Sequence, residues 1–254
     1  MAAMDEFRAE REAIKHGTWE QKLGYFWDYY KWHTIITIIV VCSIVSIAHN
    51  IITQKDKALS GILLNAYEYD MENPKTNLVD DFIEFANIDT SEYEVVLNTS
   101  LSYLPEDTEG GSSYNYSTSQ VITAQSGAGE LDFVTGPHSS MKDWAYKGLF
   151  IDLRKILTDE QLEVFEPYFL YIDEGIIEQR AEAWDKMEDV SAIAIPETLN
   201  PEGMTKPVPV MLDMTKSQKL LDAYGYDIEN LAFGVISNSS NVENTLTFLE
   251  YLLK

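Results

Sequence analysis

Cysteine and histidine, which often serve as metal ligands or in nucleophilic catalysis, are rare in this 254-residue sequence. There is one cysteine, Cys42, inside an apolar run, and there are four histidines: His16, His33, His49 and His138. Only His138 belongs to the part with a globular pattern. Because a zinc site gathers three or four Cys, His or carboxylate ligands, we expect no metal site. No Walker, HExxH or GxSxG sequence occurs, so we also expect no cofactor and no enzyme activity.

Two local patterns deserve a chemical interpretation beside His138. Ser139 and Ser140 follow this histidine directly, and we interpret them as N-caps of a helix and not as nucleophiles. Residues 127–129, Gly-Ala-Gly, precede a predicted strand, whereas a dinucleotide-binding glycine loop joins a strand to the helix that follows it. A dinucleotide site is therefore not predicted.

The chain is strongly acidic, with 18 basic and 42 acidic residues and a net charge of −24. Residues 1–31 account for only −1 of this charge, so nearly all of it lies beyond the apolar run. Such a charge repels nucleic acid, and we exclude nucleic acid as a partner. Glu106, Asp107 and Glu109 have calcium-ligand chemistry but lack EF-hand spacing, so we interpret them as part of a solvated loop.

The apolar run, residues 34–52, contains no Asp, Glu, Lys or Arg. At 1.5 Å per residue its length matches a hydrocarbon core of about 30 Å, which predicts one transmembrane helix in contact with membrane lipid. Residues 19–33 are rich in aromatic side chains and predict an interfacial helix before the span. The predicted interface residues are Trp19, Phe26, Trp27, Tyr30 and Trp32.

The run is longer than a signal-peptide core and lacks a small-x-small cleavage site, which favours a retained signal anchor. Lysines close to the span are balanced, two on each side, but the whole N-terminal segment carries five basic residues. We therefore expect a single-pass cell-membrane protein with residues 1–18 as a cytoplasmic tail, 53–57 as a linker and 58–254 as an extracellular domain.

Residues 58–254 alternate between strand and helix patterns, which predicts an α/β sheet covered by helices. Polar residues 106–119 predict a loop. Predicted strands are 59–66, 93–97, 131–135, 191–195, 208–212 and 231–237. Predicted helices are 75–87, 117–125, 139–147, 158–165, 175–184 and 241–253, with Thr158 as an N-cap.

This arrangement resembles the type 2 periplasmic-binding-protein fold of extracellular solute-binding proteins. The resemblance rests on residues 130–136 (ELDFVTG), 144–153 (WAYKGLFIDL), 233–239 (FGVISNS) and 247–252 (TFLEYL). Residues 58–254 suffice for one lobe with a reduced or absent second lobe. The aromatic segment YFWDYYKWH followed by a span also resembles uncharacterised single-span membrane proteins of Clostridia-type Firmicutes.

Open α/β sheets bind ligands at the carboxyl ends of their strands. The predicted ligand-binding residues at those ends are Tyr67, Tyr69, Thr99, Ser100, Thr135, Gly136 and His138. The resemblance implies a non-catalytic domain that senses or captures a small solute, such as a sugar or a peptide. The alternative is an envelope scaffold that assembles with other membrane proteins and binds no small ligand.

Overall fold

The computed structural model describes residues 17–68, 77–104, 110–226 and 230–254. The chain divides into two compact units, with the boundary between Gln54 and Lys55. In the first unit, the predicted interfacial and spanning segments form one continuous helix, α1 (Trp19–Thr53). Within the described residues, one stretch, Tyr30–His49, is long and apolar enough to span a membrane.

The predicted interface aromatics all lie on the surface of α1. Trp19 and Trp32 are 78% and 67% exposed, and Phe26, Trp27 and Tyr30 are exposed as well. Phe26 and Tyr30, one helical turn apart, stack with ring centroids 5.6 Å apart. The N-terminal part of α1 therefore presents exposed aromatic rings up to the start of the apolar stretch.

In the part of the chain that the structure describes, the second unit contains a six-stranded sheet in which five strands overlap predicted strands, whereas the strand at residues 169–173 was not predicted. In chain order the strands and helices are β1 (Asp56–Leu63), β2 (Ala66–Glu68), α2 (Leu78–Ala86), β3 (Tyr93–Asn98), α3 (Gly111–Gly127), β4 (Phe133–Pro137), α4 (His138–Tyr146), α5 (Asp159–Phe165), β5 (Phe169–Asp173), α6 (Glu174–Asp185), β6 (Pro207–Asp213), α7 (Gln218–Ala223), β7 (Tyr224–Tyr226), β8 (Leu231–Val235) and α8 (Val242–Leu253). The mixed α/β class is confirmed.

Among the described residues, six strands form one mixed sheet in the order β3-β1-β4-β8-β6-β5. Strand β1 runs parallel to β3 and β4, whereas β8 is antiparallel to β4 and β6, and β5 is antiparallel to β6. Strands β1, β3, β4 and β6 therefore end at the same edge, where β5 and β8 begin. Strands β2 and β7 form a separate antiparallel pair.

Helices cover both faces of the sheet. On one face the ring of Phe133 lies between those of Phe233 and Phe248, at centroid distances of 4.5 and 5.2 Å, and helices α2, α5, α7 and α8 contribute to this cluster. On the other face, α3 and α4 pack Ile122 and Trp144 against the sheet. Each fully buried Phe contributes about 1.5–3 kcal/mol relative to exposure.

Two sequence predictions are wrong here. Residues 191–195 form no strand, because the Asp189 carboxylate accepts hydrogen bonds from the Ser191 amide and hydroxyl and starts a 3₁₀ turn, Val190–Ala192. Residues 111–119, predicted as loop, belong to helix α3. The buried face of this helix is mostly polar, so apolar periodicity gave no signal. Thr158 is an N-cap as predicted, and it forms a reciprocal capping box with Gln161.

Candidate functional site

A cleft of about 930 Å³ lies at the edge where β1, β4 and β6 end and where β5 and β8 begin. Its lining is contributed by residues at or near the ends of these strands, by the first turns of α4, by residues 103–104 and by the loop 197–200. The lining residues are Asn65, Tyr103, Leu104, Pro137, His138, Ser139, Ser140, Lys142, Asp143, Leu170, Glu197, Thr198, Leu199, Asn200, Asp213 and Asn230. The volume suits a small molecule.

Asn65 fixes one wall of this cleft. It follows β1 with a left-handed backbone, at φ 58°, which asparagine tolerates better than most residues. Its side-chain Nδ2 donates to the Tyr103 carbonyl at 2.8 Å, and its Oδ1 accepts from the Tyr103 amide at 2.6 Å. The side chain thus pairs with the backbone of Tyr103 as a neighbouring strand would.

Asn115, on the buried face of α3, holds the next residue in the same manner. Its Oδ1 accepts from the Leu104 amide and its Nδ2 donates to the Leu104 carbonyl, both at 2.8 Å. Thr118, one turn further on, donates its hydroxyl to the Ser102 carbonyl at 2.8 Å. Residues 102–104 lie outside any strand, yet their backbone is hydrogen-bonded from two directions. This wall is therefore built in advance of any ligand.

The loop 197–200 forms another part of the lining. The Leu199 carbonyl accepts from the Tyr171 amide on β5 at 2.7 Å, and the Leu199 side chain is buried in the core. Thr198 Oγ1 accepts from the Asn200 amide at 3.1 Å. These contacts anchor the loop while Glu197, Thr198 and Asn200 remain exposed beside the cleft.

His138 and Asp213 line the cleft at the ends of β4 and β6. His138 Nε2 is 3.9 Å from Asp213 Oδ1, too far for a hydrogen bond. Burial lowers the pKa of His138 below the usual 6.5, although the Asp213 charge and the Leu231 carbonyl act in the opposite direction. Burial thus favours the neutral imidazole, and no hydrogen bond joins it to the Asp213 carboxylate.

The two carboxylates that are most buried in the unit serve the fold. Asp132 accepts from the Ser60 amide at 2.8 Å and the Ser239 hydroxyl at 2.7 Å, and Asp173 accepts from the Thr205 and Lys206 amides at 2.7 and 2.9 Å. Their oxygens already have protein donors, so we assign them structural roles.

Of the predicted ligand-binding residues, His138 lines the cleft. Thr135 is fully buried in β4, and Gly136 lies under the Leu64 side chain, where an added Cβ would be 2.9 Å from Leu64 Cδ1. Tyr67 is on the separate β2–β7 pair, opposite Gly225. Thr99 and Ser100 follow β3, and Ser100 bonds to the Asn98 side chain in a turn. These residues are not part of the lining, and Tyr69 lies outside the described residues.

Ser139 and Ser140 line the cleft. They were predicted to be N-caps of a helix, but neither caps α4. The helix begins at His138 with Pro137 in the N-cap position, and the Ser140 hydroxyl donates to the Pro137 carbonyl at 3.1 Å. The acidic residues Glu106, Asp107 and Glu109 lie outside the described residues. Across the parts of the chain that the structure describes, no three His, Cys, Asp or Glu side chains are grouped as metal ligands would be.

Sequence reasoning missed most of the lining, including Asn65, Tyr103, Asp213 and Glu197. Asp213 carried a usable signal, since it directly follows the predicted strand 208–212, whereas Asn65 fell inside the predicted strand 59–66. Tyr103 and Glu197 lie in loops that no local pattern connects to the strand ends. Comparison with protein-family models, curated proteins and solved structures finds no match to this chain.

Proposed function

We propose that this chain is a membrane-anchored binding protein whose extracytoplasmic α/β domain holds a small polar solute in the strand-end cleft. The observation that carries the proposal is a cleft of about 930 Å³ whose wall at residues 102–104 is fixed by hydrogen bonds from Asn65 and Asn115. Preorganised walls lower the entropy lost on binding, which is the usual property of ligand sites.

The hydrogen-bond partners of the side chains in the cleft favour a binding function over catalysis. Among the described residues, no carboxylate or hydroxyl is hydrogen-bonded to His138 and could activate it, and Ser140 donates to a backbone carbonyl. Nucleophilic catalysis needs a nucleophile and base within about 2.6–3.2 Å. In this proposal the domain binds and releases its ligand unchanged, in sensing or capture, as the resemblance to solute-binding proteins implies.

A thermal-shift screen of the full chain in detergent, against sugars, peptides, amines, carboxylates and divalent cations, tests the proposal. At least one class should raise the unfolding midpoint, because ligands that bind only the folded state stabilise it. Asn200→Trp, which places a large side chain in the cleft, should abolish the shift, whereas Glu163→Trp on the exposed surface of α5 should not. Absence of any shift would overturn the binding function.

The orientation is tested separately by protease treatment of intact cells. With the proposed topology, residues 55–254 are digested from outside, and a protected domain would refute the extracytoplasmic placement. This placement follows from the basic residues of the N-terminal segment.

An envelope scaffold is the second candidate, and one surface favours it. Trp184 and Met187, at the end of α6, are 76% and 95% exposed. Exposed Trp and Met side chains are typical of protein interfaces. If photo-crosslinking from position 187 in cells captures one specific membrane protein, and no solute shifts the unfolding midpoint, the scaffold would replace the solute-binding proposal.

A further inference from the structure

The charges around the strand-end cleft are unbalanced. Asp143, Glu197 and Asp213 contribute three negative charges, and Lys142 contributes one positive charge. Burial lowers the pKa of His138 below the usual 6.5, which favours its uncharged form at neutral pH. The lining therefore has a net charge of about −2 at neutral pH.

The carboxylates of the lining have little compensation from the protein. In the described ranges, no ion pair joins Asp143 or Glu197 to a basic side chain. Asp213 Oδ1 accepts one bond, from the Thr215 amide at 2.9 Å. A concave, partly desolvated site concentrates the field of such charges and attracts counter-ions.

One feature of the site contributes positive charge. The first turn of α4 opens into the cleft without a side-chain cap, and a helix N-terminus carries roughly half a positive charge. This reduces the net charge to about −1.5 but does not change its sign. An anionic ligand would meet three carboxylates, and a neutral sugar would leave them unpaired.

A cationic ligand of this cleft would be an organic molecule and not a metal ion. Within the described residues, no three His, Cys, Asp or Glu side chains are close enough to ligate a metal ion together. The carboxylates are instead distributed around about 930 Å³, a volume far larger than that of one ion. The lining also includes Tyr103, whose ring lies nearly perpendicular to that of Trp144 with the centroids 5.4 Å apart, and aromatic rings attract ammonium groups.

We infer that the strand-end cleft selects an organic cation with one or more primary ammonium groups, such as a diamine, a polyamine or a basic amino acid. This inference rests on the binding function proposed above and names its ligand class. The ammonium groups would donate to the carboxylates of Asp213 and Glu197, while the asparagine amides of the lining would remain available for the neutral part of the ligand.

The test compares three probes of equal chain length and different charge, cadaverine, pentane-1,5-diol and glutarate, together with spermidine and lysine. Binding to the full chain in a nonionic detergent is measured by titration calorimetry at 0.15 M salt, which screens diffuse attraction to the acidic surface. At least one amine should bind in a one-site isotherm, and the diol and glutarate should not bind.

Variants localise the effect to the cleft. Asp213→Asn, which keeps the oxygen that accepts from Thr215, and Glu197→Gln should each weaken amine binding tenfold or more. Glu163→Gln removes the same charge from an exposed position outside the lining and should leave affinity unchanged. Lys142→Gln should strengthen amine binding severalfold because it removes a repelling charge, and damage to the fold cannot mimic that gain.

Equal loss of affinity in Glu163→Gln and Glu197→Gln would overturn the inference, as would the failure of every amine to bind. If a neutral or anionic solute is blocked by Asn200→Trp while no amine binds, the cation class is refuted and the binding function remains. If no solute of any class binds, both are refuted.

Discussion

The side-chain amide of Asn65 and the backbone of Tyr103 form two reciprocal hydrogen bonds, across 38 residues of sequence. Asn65→Gly removes the amide and keeps a residue that adopts φ 58° without strain. The amide and carbonyl of Tyr103 then lose their partners, so we expect a loss of about 1–3 kcal/mol in the free energy of unfolding, measured by urea denaturation.

A matched control exists elsewhere in the same unit. Asn87, the C-cap of α2, has a similar left-handed backbone at φ 52° and an exposed side chain. Asn87→Gly should leave stability unchanged or raise it slightly. Equal effects of the two substitutions would show that the Asn65 side chain contributes nothing beyond its backbone conformation.

The carboxylate of Asp173 predicts a pH-dependent contribution to stability. Burial alone raises its pKa, but hydrogen bonds from the amides of Thr205, Lys206 and Gly175 outweigh burial and lower the pKa below the ordinary 3.8. A lowered folded-state pKa gives stabilisation that is complete above pH 3.8 and lost as the pH falls through the folded-state value. Asp173→Asn should therefore destabilise the domain by about 1–3 kcal/mol at pH 7, and by less at pH 3.

Urea denaturation at the two pH values measures this difference. Asp185→Asn, at the exposed end of α6, serves as the control and should match the wild type at both. A deficit for Asp173→Asn that is equally large at pH 3 and pH 7 would contradict the charge-based explanation.

Met187 occupies a strained position, and its replacement should stabilise the protein. It terminates α6 at φ 56°, with the Glu188 amide bonded to the Ala183 carbonyl at 2.8 Å, a position where glycine is favoured. Met187→Gly should raise the free energy of unfolding by about 0.5–1 kcal/mol. Lys186→Gly, one residue earlier at φ −85°, should lower it. A loss of stability in Met187→Gly would show that the methionine side chain supports the fold.

The apolar stretch of α1 predicts resistance to extraction from membranes. The full chain should remain in the pellet after alkaline carbonate treatment. Ile44→Lys places a charge within the stretch, which costs about 2.5–3.5 kcal/mol at the centre of a spanning helix, and should shift part of the chain into the supernatant. Ile44→Ala should behave as the wild type does. Extraction of the wild-type chain by carbonate would contradict a spanning helix.

Local sequence signals located most of the strands and helices of the domain. Runs such as 208–212, which are wholly apolar, match strands such as β6 closely. The Thr158 cap and the acidic residues after it placed α5. Such signals concern neighbours in sequence, and they do not specify the direction of a strand. That β8 runs antiparallel between β4 and β6 follows from long-range packing.

The candidate site was harder to predict for the same reason. His138 was found because it follows a predicted strand. Tyr103 and Leu104 are held at the cleft by hydrogen bonds to Asn65 and Asn115 respectively, residues distant in sequence. Glu197 lies on a loop that Leu199 holds against β5 by a backbone hydrogen bond. No apolar periodicity in the sequence predicts such a contact.

The polar attachment of α3 has a thermodynamic consequence. Its buried face consists of Gly111, Asn115, Thr118, Ser126 and one apolar residue, Ile122. Detachment of this helix would expose little apolar surface, and both heat capacity and denaturant sensitivity scale with exposed surface. Amide hydrogen exchange in α3 should therefore depend weakly on urea concentration, while exchange in the central strands depends on it strongly. The helix that holds the cleft wall would thus open as a separate unit, at nearly constant free energy across the denaturant range.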